Sequence, residues 1–483
     1  MATPLSSSTR VVERAAAMSG TATAKGASRA GERGVQTGER SVPDTIDGLP
    51  PGLRWPAALQ WLAMVCRFDA LDARLRRFGS LVTLRFPGLG SIVMPSDPEM
   101  IREVFTAERD VMRAGEANAP LAAVLGCNSV LLLDGDRHLQ RRRMLLAPFH
   151  GEAVHKYARL VAQVTEEEIR RWPRGEEFAT WPRMQAITLE VIMRAVMGVH
   201  DEGRLERLRP LLLRVQRNSI YGVLAEGARP GISESWLGRR LPWVRARMQA
   251  ERVLEEEIAA HRECAEGRDD ILALLIATRN EDGRPLSDEE LRGELLTLLI
   301  AGYETTSTVL AWCFERLVRH PEALARLQRE LAEDDERYLS AVVDETLRSR
   351  PVVDSVQRKL AAQFELGGYR IPAGATVGPS IVGVQSSPEV FEDPTAFRPE
   401  RFLHGPPAPY TLIPFGGGVR RCIGASFAVM EIKTVLRTVL SAVELQPTVA
   451  APEKPTRGRR IATYPSRGGR IVVRDKVGHD SCL

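Results

Sequence analysis

The longest hydrophobic pattern in the chain spans residues 287–319. Ser287 and Glu290 have the spacing of a capping box, and Pro321 predicts that the helix ends just before it. A helix of about 32 residues would be about 48 Å long, enough to cross a whole domain. Its apolar residues lie nearly all the way round, which is typical of a helix buried on every side.

Shorter patterns predict the elements on both sides of this helix. An amphipathic helix is expected over residues 61–78, a hairpin over 80–86 and 90–95, and a helix over 98–106. The next stretch is mostly helical up to about residue 351, with breaks at 172–175, 227–231 and 282–285. Strand signals return at 364–370 and at 459–473, where the chain folds back over residues 465–469. The pattern predicts an α+β fold, predominantly α-helical, with small sheets near each end.

The same pattern divides the chain into one folded domain and two tails. Residues 1–43 are rich in Ser, Thr, Ala, Gly and Arg without a lasting hydrophobic period, which predicts a disordered tail. A transit peptide is the alternative, but Glu13, Glu32 and Glu39 have the wrong charge for one. A single domain is expected over residues 44–475, followed by a short tail over 476–483.

Composition narrows the class of protein. The chain has 483 residues, of which 44% are hydrophobic and 27% charged, so it can bury a large core. Its net charge of +4 is spread over interleaved acids and bases, which gives nucleic acid no basic surface to bind. The chain shows no signal peptide and no unbroken apolar run long enough for a transmembrane anchor, so we expect a soluble cytoplasmic protein. Its cysteines lack paired spacing, which argues against a zinc site or disulfides: Cys66, Cys127, Cys264, Cys313, Cys422 and Cys482.

A glycine-rich loop over residues 415–424 places one cysteine directly before a helix-like run. At a helix N-terminus, free N–H groups favour the thiolate form of Cys422. The glycines allow tight turns and close approach to a flat ligand, and Arg420 could pair with a carboxylate on that ligand. The alternatives are a buried structural cysteine or a phosphate-binding loop, although the glycine spacing fits the second poorly.

The pattern Phe-x-x-Gly-x-Arg-x-Cys-x-Gly in this loop resembles the heme-binding loop of the cytochrome P450 family. This resemblance implies the cytochrome P450 fold, in which a long central helix lies over heme b (iron protoporphyrin IX). It also implies that Cys422 is the thiolate ligand of the heme iron and that Phe415 and Arg420 contact the heme.

A polar run interrupts the long apolar helix at residues 301–308. Buried polar side chains and a helical glycine are costly, so such a break is expected at a functional site. The alternative is that the Thr and Ser side chains bond back to the preceding turn without further function. The run resembles the family's oxygen-binding groove, which implies that Thr305 assists protonation of dioxygen and that Glu304 supplies the protons.

Further basic residues match the family's propionate-binding positions. His138 and Arg142 lie four residues apart and therefore on one helix face. By the resemblance these two side chains and Arg358 hold the heme propionates, together with Arg420. Arg141 and Arg143 would point elsewhere, either to an acidic electron-transfer partner or into solvent.

The resemblance also assigns a structural network. Glu345 and Arg348 share a helix face, and Arg401 in the segment 397–402 is similar to an arginine that joins them in the family. This network would hold the cysteine loop and is not catalytic. Gln385 departs from the family pattern, since many relatives carry His there.

These features together predict a heme-thiolate monooxygenase that inserts one atom of dioxygen into an apolar substrate such as a fatty acid, terpenoid or polyketide. No flavin or dinucleotide motif is present, so a ferredoxin or flavodoxin with its reductase would supply the electrons. The alternatives are a peroxide-driven or isomerising heme-thiolate enzyme and a non-catalytic heme-binding protein.

A mobile lid is expected over residues 208–247, where the alternative is simply two helices and a loop. The pocket would be lined by residues 121–128, by Leu298, Ala301 and Thr305, and by residues 352–356 and 461–464.

Overall fold

The computed structural model describes residues 48–66, 71, 74–149, 151–198, 202–263, 268, 270–457 and 460–476. The predicted N-terminal tail and nearly all of the predicted C-terminal tail lie outside these ranges. The described residues belong to one compact unit. They confirm an α+β fold in which helices predominate.

The helices with described bounds are α1 (Ala57–Cys66), α2 (Pro98–Thr106), α3 (Ala114–Asn118), α4 (Ala122–Leu125), α5 (Gly135–Leu146), α6 (Glu152–Ile169), α7 (Thr180–Met197), α8 (Glu202–Arg217), α9 (Ser219–Ala228), α10 (Pro242–Glu263), α11 (Ile271–Ala277), α12 (Asp288–Arg319), α13 (Pro321–Ala332), α14 (Arg337–Ser349), α15 (Ile381–Gln385) and α16 (Ala425–Ala442). The strands are β1 (Leu81–Phe86), β2 (Gly90–Pro95), β3 (Met112–Arg113), β4 (Glu177–Ala179), β5 (Arg358–Leu360), β6 (Phe364–Leu366), β7 (Tyr369–Ile371), β8 (Thr376–Val377), β9 (Val443–Leu445), β10 (Pro455–Thr456), β11 (Tyr464–Pro465) and β12 (Arg470–Asp475).

Helix α12 is the axis of the fold, as the hydrophobic pattern predicts. Ser287 and Glu290 form both bonds of the capping box, at 3.2 and 3.0 Å, and the helix ends at Arg319 before His320. It packs along α7, α10, α14 and α16, and its side chains form much of the main hydrophobic core. By length and composition α12 alone among the described helices could cross a membrane, but 78% of its apolar window is buried inside the protein, as in a core helix.

Gly302 explains how α7 and α12 pack closely at the centre of the molecule. A Cβ atom added at Gly302 would lie 3.1 Å from Cγ1 and Cδ1 of Ile192 on α7. A larger side chain at this position would therefore push the two helices apart. The glycine within the polar run is accounted for by helix packing.

The largest sheet has the strand order β1-β2-β8-β5-β3. Its hairpin pairs Leu81 with Pro95 and Phe86 with Gly90, which confirms the hairpin expected from the alternating pattern. Strands β3, β5 and β8 are two or three residues long, too short to show a period of two in the sequence. The strand signal at 364–370 proves to be the two strands of a second hairpin, β6 and β7.

The hairpin predicted across residues 465–469 is wrong. Strand β11 pairs with β10, whereas β12 pairs with both β4 and β9. Buried Ile471 and Val473 bring β12 into the main core, so burial rather than proximity along the chain selects its partners. Gly469 has φ of +68° and lies against Thr180 and the backbone of Ala311, which leaves no room there for a side chain.

The helix predicted at residues 61–78 begins earlier, and in its second half residues 71, 74 and 75 are helical, whereas residues 67–70, 72 and 73 lie outside the described residues. Helix α1 starts directly after Pro56 and is described as far as Cys66, and a 3₁₀ turn follows at Arg76–Phe78. Gln60 is buried and donates hydrogen bonds to the carbonyl groups of Leu53 and Trp55, which fixes the start of the helix.

Candidate active site

The cysteine loop is closed by its own backbone. The amide of Cys422 donates a hydrogen bond to the carbonyl of Phe415 at 2.9 Å, across a 3₁₀ turn at Gly418–Arg420. Gly416 and Gly418 have φ of +67° and +62°, values that glycine adopts without strain. The loop delivers Cys422 to the N-terminus of α16, as the sequence predicts.

Two of the loop glycines are required by a protein contact. A Cβ atom at Gly417 would lie 2.3 Å from the ring of Phe105, and one at Gly418 would lie 2.3 Å from the carbonyl oxygen of the same residue. The loop therefore packs tightly on the end of α2. Besides the tight turns that the sequence predicts, contact with this neighbouring helix excludes larger residues at Gly417 and Gly418.

The thiol of Cys422 is accessible, yet it is enclosed by protein and so faces an interior space. This enclosure raises the pKa of the thiol. A hydrogen bond with the backbone of Gly424 and the charges of Arg142 and Arg421 act in the opposite direction and favour the thiolate. Such a sulfur is suited to bind a metal that stabilises its anionic form. Among the described residues Cys127, Cys313 and Cys422 are free thiols.

Beside the loop, the structure brings the predicted propionate ligands together with an acid that sequence analysis missed. Arg420 Nη2 lies 2.6 Å from Oδ1 of Asp134. The other oxygen of Asp134 accepts from the amide of Glu116, and Oδ1 also accepts from the amide of Gly115, each at 2.8 Å. Asp134 thus joins Arg420 to the first turn of α3.

Burial and mutual repulsion perturb the basic groups of this cluster. Burial lowers the pKa of Arg358 and of Arg420 to about 10 in each case. Burial, followed by the charges of Arg420 and Arg142, lowers the pKa of His138 to about 3, so its imidazole is neutral at physiological pH. The pKa of Arg142 is also lowered by burial.

The cluster fits the carboxylates of a heme. Arg358 and Arg420 lie beside the carboxylate of Asp134, Arg142 lies close enough to repel Arg420, and the buried Nη1 of Arg420 has no hydrogen-bond partner among the described residues. A cavity opens between this cluster and Phe105, with His138, Arg358 and Arg420 in its wall. Additional negative charge placed there would satisfy the donors and offset the repulsion.

One face of α12 is open although the rest of its central part is buried. Between residues 293 and 318, four positions are not buried, and they follow the spacing of one helix face: Leu298, Ala301, Gly302 and Thr305. Ala301 is exposed while its neighbours Ile300 and Tyr303 are buried. This open face of α12 therefore borders interior space, with Gly302 at the edge where α7 packs against it, and it carries two of the predicted pocket residues together with Thr305.

Thr305 and Glu304 make different contacts. The hydroxyl of Thr305 donates to the carbonyl of Ala301 at 2.8 Å, which is the back-bonding that the sequence left open as an alternative. Glu304 is buried and lies 3.2 Å from Nη1 of Arg460, in the C-terminal segment. Burial raises the pKa of Glu304 to about 7, although Arg460 and Gln216 oppose the rise. This carboxyl can therefore hold or release a proton near neutral pH.

The network expected around Glu345 is present in the structure. The carboxylate of Glu345 accepts from Arg348 at 2.7 and 2.8 Å and lies 3.1 Å from Nε of Arg401. Gln385 replaces the histidine common in the family, and both its side-chain nitrogen and its side-chain oxygen are hydrogen-bonded. It donates to the carbonyls of Leu347 and Arg348, and its side-chain oxygen accepts from the amide of Ile413 just before the cysteine loop.

Arg141 faces neither a partner protein nor solvent, so both sequence alternatives for it are wrong. Its guanidinium is buried and pairs with Glu290 and, at 2.8 Å, with Glu294 of α12. Arg143 is exposed and pairs with Glu281. Asp134 and Arg460 were missed because each is separated from its partner by well over a hundred residues of sequence.

The chain is similar to known proteins over most of its length. The sequence model described as Cytochrome P450 matches residues 50–471. A Mycobacterium tuberculosis protein described as cytochrome P450 135B1 is 43% identical over 439 residues, which cover 88% of this chain and 92% of the relative. Cytochrome P450 138 of Mycobacterium bovis is 38% identical over 434 residues, 88% of this chain and 96% of the relative.

Solved structures share the fold. The retinoic acid-bound cyanobacterial CYP120A1 has a TM-score of 0.77 at 24% identity and covers 89% of this chain and 99% of its own. The heme domain of cytochrome P450DA has a TM-score of 0.76 at 23% identity, with coverage of 89% and 99%. The long helix and small sheets described above are therefore those of this fold.

Proposed function

The chain belongs to the cytochrome P450 family and is a heme-thiolate monooxygenase, and from this premise we propose that it is a soluble cytoplasmic enzyme that oxidises an apolar substrate. The observation that carries the proposal is the open face of α12 (Leu298, Ala301, Gly302 and Thr305). Helix α12 also packs against α16, the helix that begins just after Cys422. Heme, when bound, supplies an iron centre that activates dioxygen and accepts electrons.

Cys422 is proposed as the iron ligand. Its position at the N-terminus of an 18-residue helix, and its hydrogen bond with the backbone of Gly424, favour a sulfur anion at this point. The carbonyl of Phe415 accepts a hydrogen bond from the amide N–H of Cys422, which fixes the position of Cys422 in the loop. The family shares this cofactor, and the residues present here suit it.

His138, Arg142, Arg358 and Arg420 are proposed to hold the heme propionates. Neutral His138 can donate one hydrogen bond, and the arginines supply the charge. Asp134 keeps Arg420 in place and leaves its second amino group for the ligand.

Glu304 and Thr305 are proposed to deliver protons. Glu304 can release a proton near neutral pH, and Thr305 presents a hydroxyl on the open face of α12. Until it passes on a proton, the Thr305 hydroxyl is oriented by its hydrogen bond to the carbonyl of Ala301. Side chains at consecutive helix positions point about 100° apart, so a proton must pass from Glu304 to Thr305 through a side-chain rotation or a water molecule.

The substrate is proposed to be apolar, with fatty acids, terpenoids and polyketides as the classes to test. Besides Leu298 and Ala301, the predicted lining residues Leu121, Val356 and Ile461 are only partly buried and could contact a guest. The predicted lid region proves to be helix α9 with parts of α8 and α10, and it carries exposed Trp236. Electrons are proposed to come from a ferredoxin or flavodoxin and its reductase.

The test combines a spectrum with a product assay. The reduced protein treated with carbon monoxide should show the red-shifted Soret band of a thiolate complex, and Cys422→Ser should lose that band. A screen of the three substrate classes by the substrate-induced spin shift should then identify a ligand. With a surrogate ferredoxin and reductase that ligand should be oxidised. A thiolate spectrum with no oxidised product from any spin-shifting ligand would contradict the proposed reaction.

A further inference from the structure

Arg460 is placed to act on Glu304, although no pattern in the sequence marks it. Its guanidinium lies 3.2 Å from Oε1 of Glu304 and is only slightly exposed. The guanidinium carbon also lies 4.7 Å from the centre of the Trp181 ring. Trp181 is held in turn by stacking on Tyr464, with ring centres 4.2 Å apart, and by a hydrogen bond from its indole to Thr308 at 3.2 Å.

This arrangement gives Arg460 a fixed position above the flank of α12. Trp181 comes from α7 and Thr308 from α12, so the cation–π contact ties the C-terminal segment to both helices. An arginine held on an aromatic face keeps its charge and retains N–H groups for a carboxylate. The Glu304 carboxyl is therefore directed toward the C-terminal segment, and the next residue, Thr305, presents its hydroxyl on the open face of α12.

We propose that Arg460 is a positioning residue for the proton-donating carboxyl of Glu304, and that it lowers the pH at which this carboxyl releases its proton. The inference rests on the proposed function, because that function makes Glu304 the proton donor. When Glu304 releases a proton, its carboxylate pairs with the Arg460 cation. A proton from solvent then restores the acid, so the pair returns to its starting state with no change in electrons.

The groups around Glu304 support this assignment. Arg460 is the cation that faces it from the C-terminal segment, Gln216 reaches it from α8, and Tyr303 is its neighbour on α12. Tyr303 is fully buried, which raises the pKa of its hydroxyl well above the ordinary value, so it stays neutral. Of these groups only Arg460 carries a charge, and an opposite charge at this distance lowers a carboxyl pKa by about 1–3 units.

The same segment provides a matched control. Arg457 lies three residues earlier, is about as buried as Arg460, and pairs with the buried carboxylate of Asp354. A change at Arg457 removes an arginine–carboxylate pair from the segment without removing the charge beside Glu304. Arg460→Lys is the conservative variant, since it keeps a cation near the carboxyl.

The experiment is an infrared titration of the heme-loaded protein, with the band of protonated Glu304 assigned by its loss in Glu304→Gln. This assignment is needed because burial also raises the pKa of Glu294 to about 7. Arg460→Gln should move the Glu304 midpoint upward by about one pH unit or more. Arg460→Lys should restore most of the original midpoint, and Arg457→Gln should leave it in place. An unchanged midpoint in Arg460→Gln, or an equal shift in Arg457→Gln, would overturn the inference.

A second readout separates this inference from the proposed function. The pH profile of product formed per electron consumed should move upward in Arg460→Gln by the same amount as the infrared midpoint. If the midpoint moves and the profile does not, Arg460 does not govern proton delivery and the inference fails, while the monooxygenase activity stands. If the unaltered protein forms no product at any pH, the proposed function fails instead.

Discussion

Asp134 binds Arg420 at 2.6 Å and, with the same carboxylate, the amides of Gly115 and Glu116. One acid therefore ties the cysteine loop to the first turn of α3. It also partly neutralises a cluster that contains Arg142, Arg358 and Arg420, and it leaves one amino group of Arg420 without a partner among the described residues.

Asp134→Asn should weaken both the fold and heme retention. The substitution removes the carboxylate that pairs with the buried Arg420 cation, which should lower the free energy of unfolding by about 1–3 kcal/mol. Faster transfer of heme to an acceptor apoprotein and denaturant unfolding would measure the two effects. Asp136→Asn is the control, because Asp136 is 90% exposed and pairs only at the surface with Arg109. Equal effects of the two variants would refute the assigned role.

Thr305→Ala should divert electrons from product to hydrogen peroxide, because the hydroxyl that would pass on protons is lost. The measurement is the ratio of peroxide to product at a fixed rate of electron supply. Thr297→Ala is a matched control, since Thr297 makes the same back-bond, to Gly293 at 2.7 Å, at a buried position of the same helix. Thr305→Ser should preserve coupling. Unchanged product per electron in Thr305→Ala would count against the proton-delivery role.

Gly417→Ala should displace the cysteine loop, because its Cβ atom would lie 2.3 Å from the ring of Phe105. We expect a loss of about 1–3 kcal/mol in the free energy of unfolding, the usual range for overpacking. Phe105→Ala makes room for the methyl group, so the double variant should be less destabilised than the sum of the single variants. Strictly additive effects would show that this contact does not constrain the loop.

The stability of the protein should depend on pH through His261. Burial opposes protonation of this imidazole, but its hydrogen bonds with Asp270 and Glu257 outweigh that effect and raise its pKa to about 9. A raised folded-state pKa means that the stabilisation is fully present below about pH 6.5 and is lost as pH rises through about 9.

His261→Gln should therefore be less stable than the unaltered protein by at most about 3 kcal/mol at pH 6, and the gap should shrink toward pH 9. Urea unfolding over this pH range gives the measurement. His155→Gln is the control, because His155 is exposed. A gap that stays constant from pH 6 to pH 9 would show that protonation of His261 does not stabilise the fold.

Local patterns in the sequence were sufficient to predict the helices and the loop that carry the proposed site residues. The capping box predicted the start of α12 at the correct residue, and the spacing of His138 and Arg142 placed both on α5. The cysteine loop was recognisable because its residues are consecutive. Each of these features depends on neighbours within one or two turns of chain, which sequence patterns record directly.

Contacts between distant segments could not be predicted in this way. Arg420 and Asp134 are 286 positions apart, and Arg460 and Glu304 are 156 apart. Nothing in the local pattern of either partner encodes the other, since both are set by how the helices pack. The pairing of β12 was mispredicted for the same reason, because a nearby turn suggested a hairpin while burial selected distant strands.

Strand β12 also determines when, during synthesis of the chain, the sheet β4-β12-β9 can form. It is the last described element of the chain, and its partners β4 and β9 come from residues 177–179 and 443–445. On the ribosome β4 emerges long before β12, so this sheet stays open until β12 has been made. A chain that stalls before Arg470 would expose the apolar surface that Ile471 and Val473 cover, and we expect such products to be cleared by proteases or to aggregate.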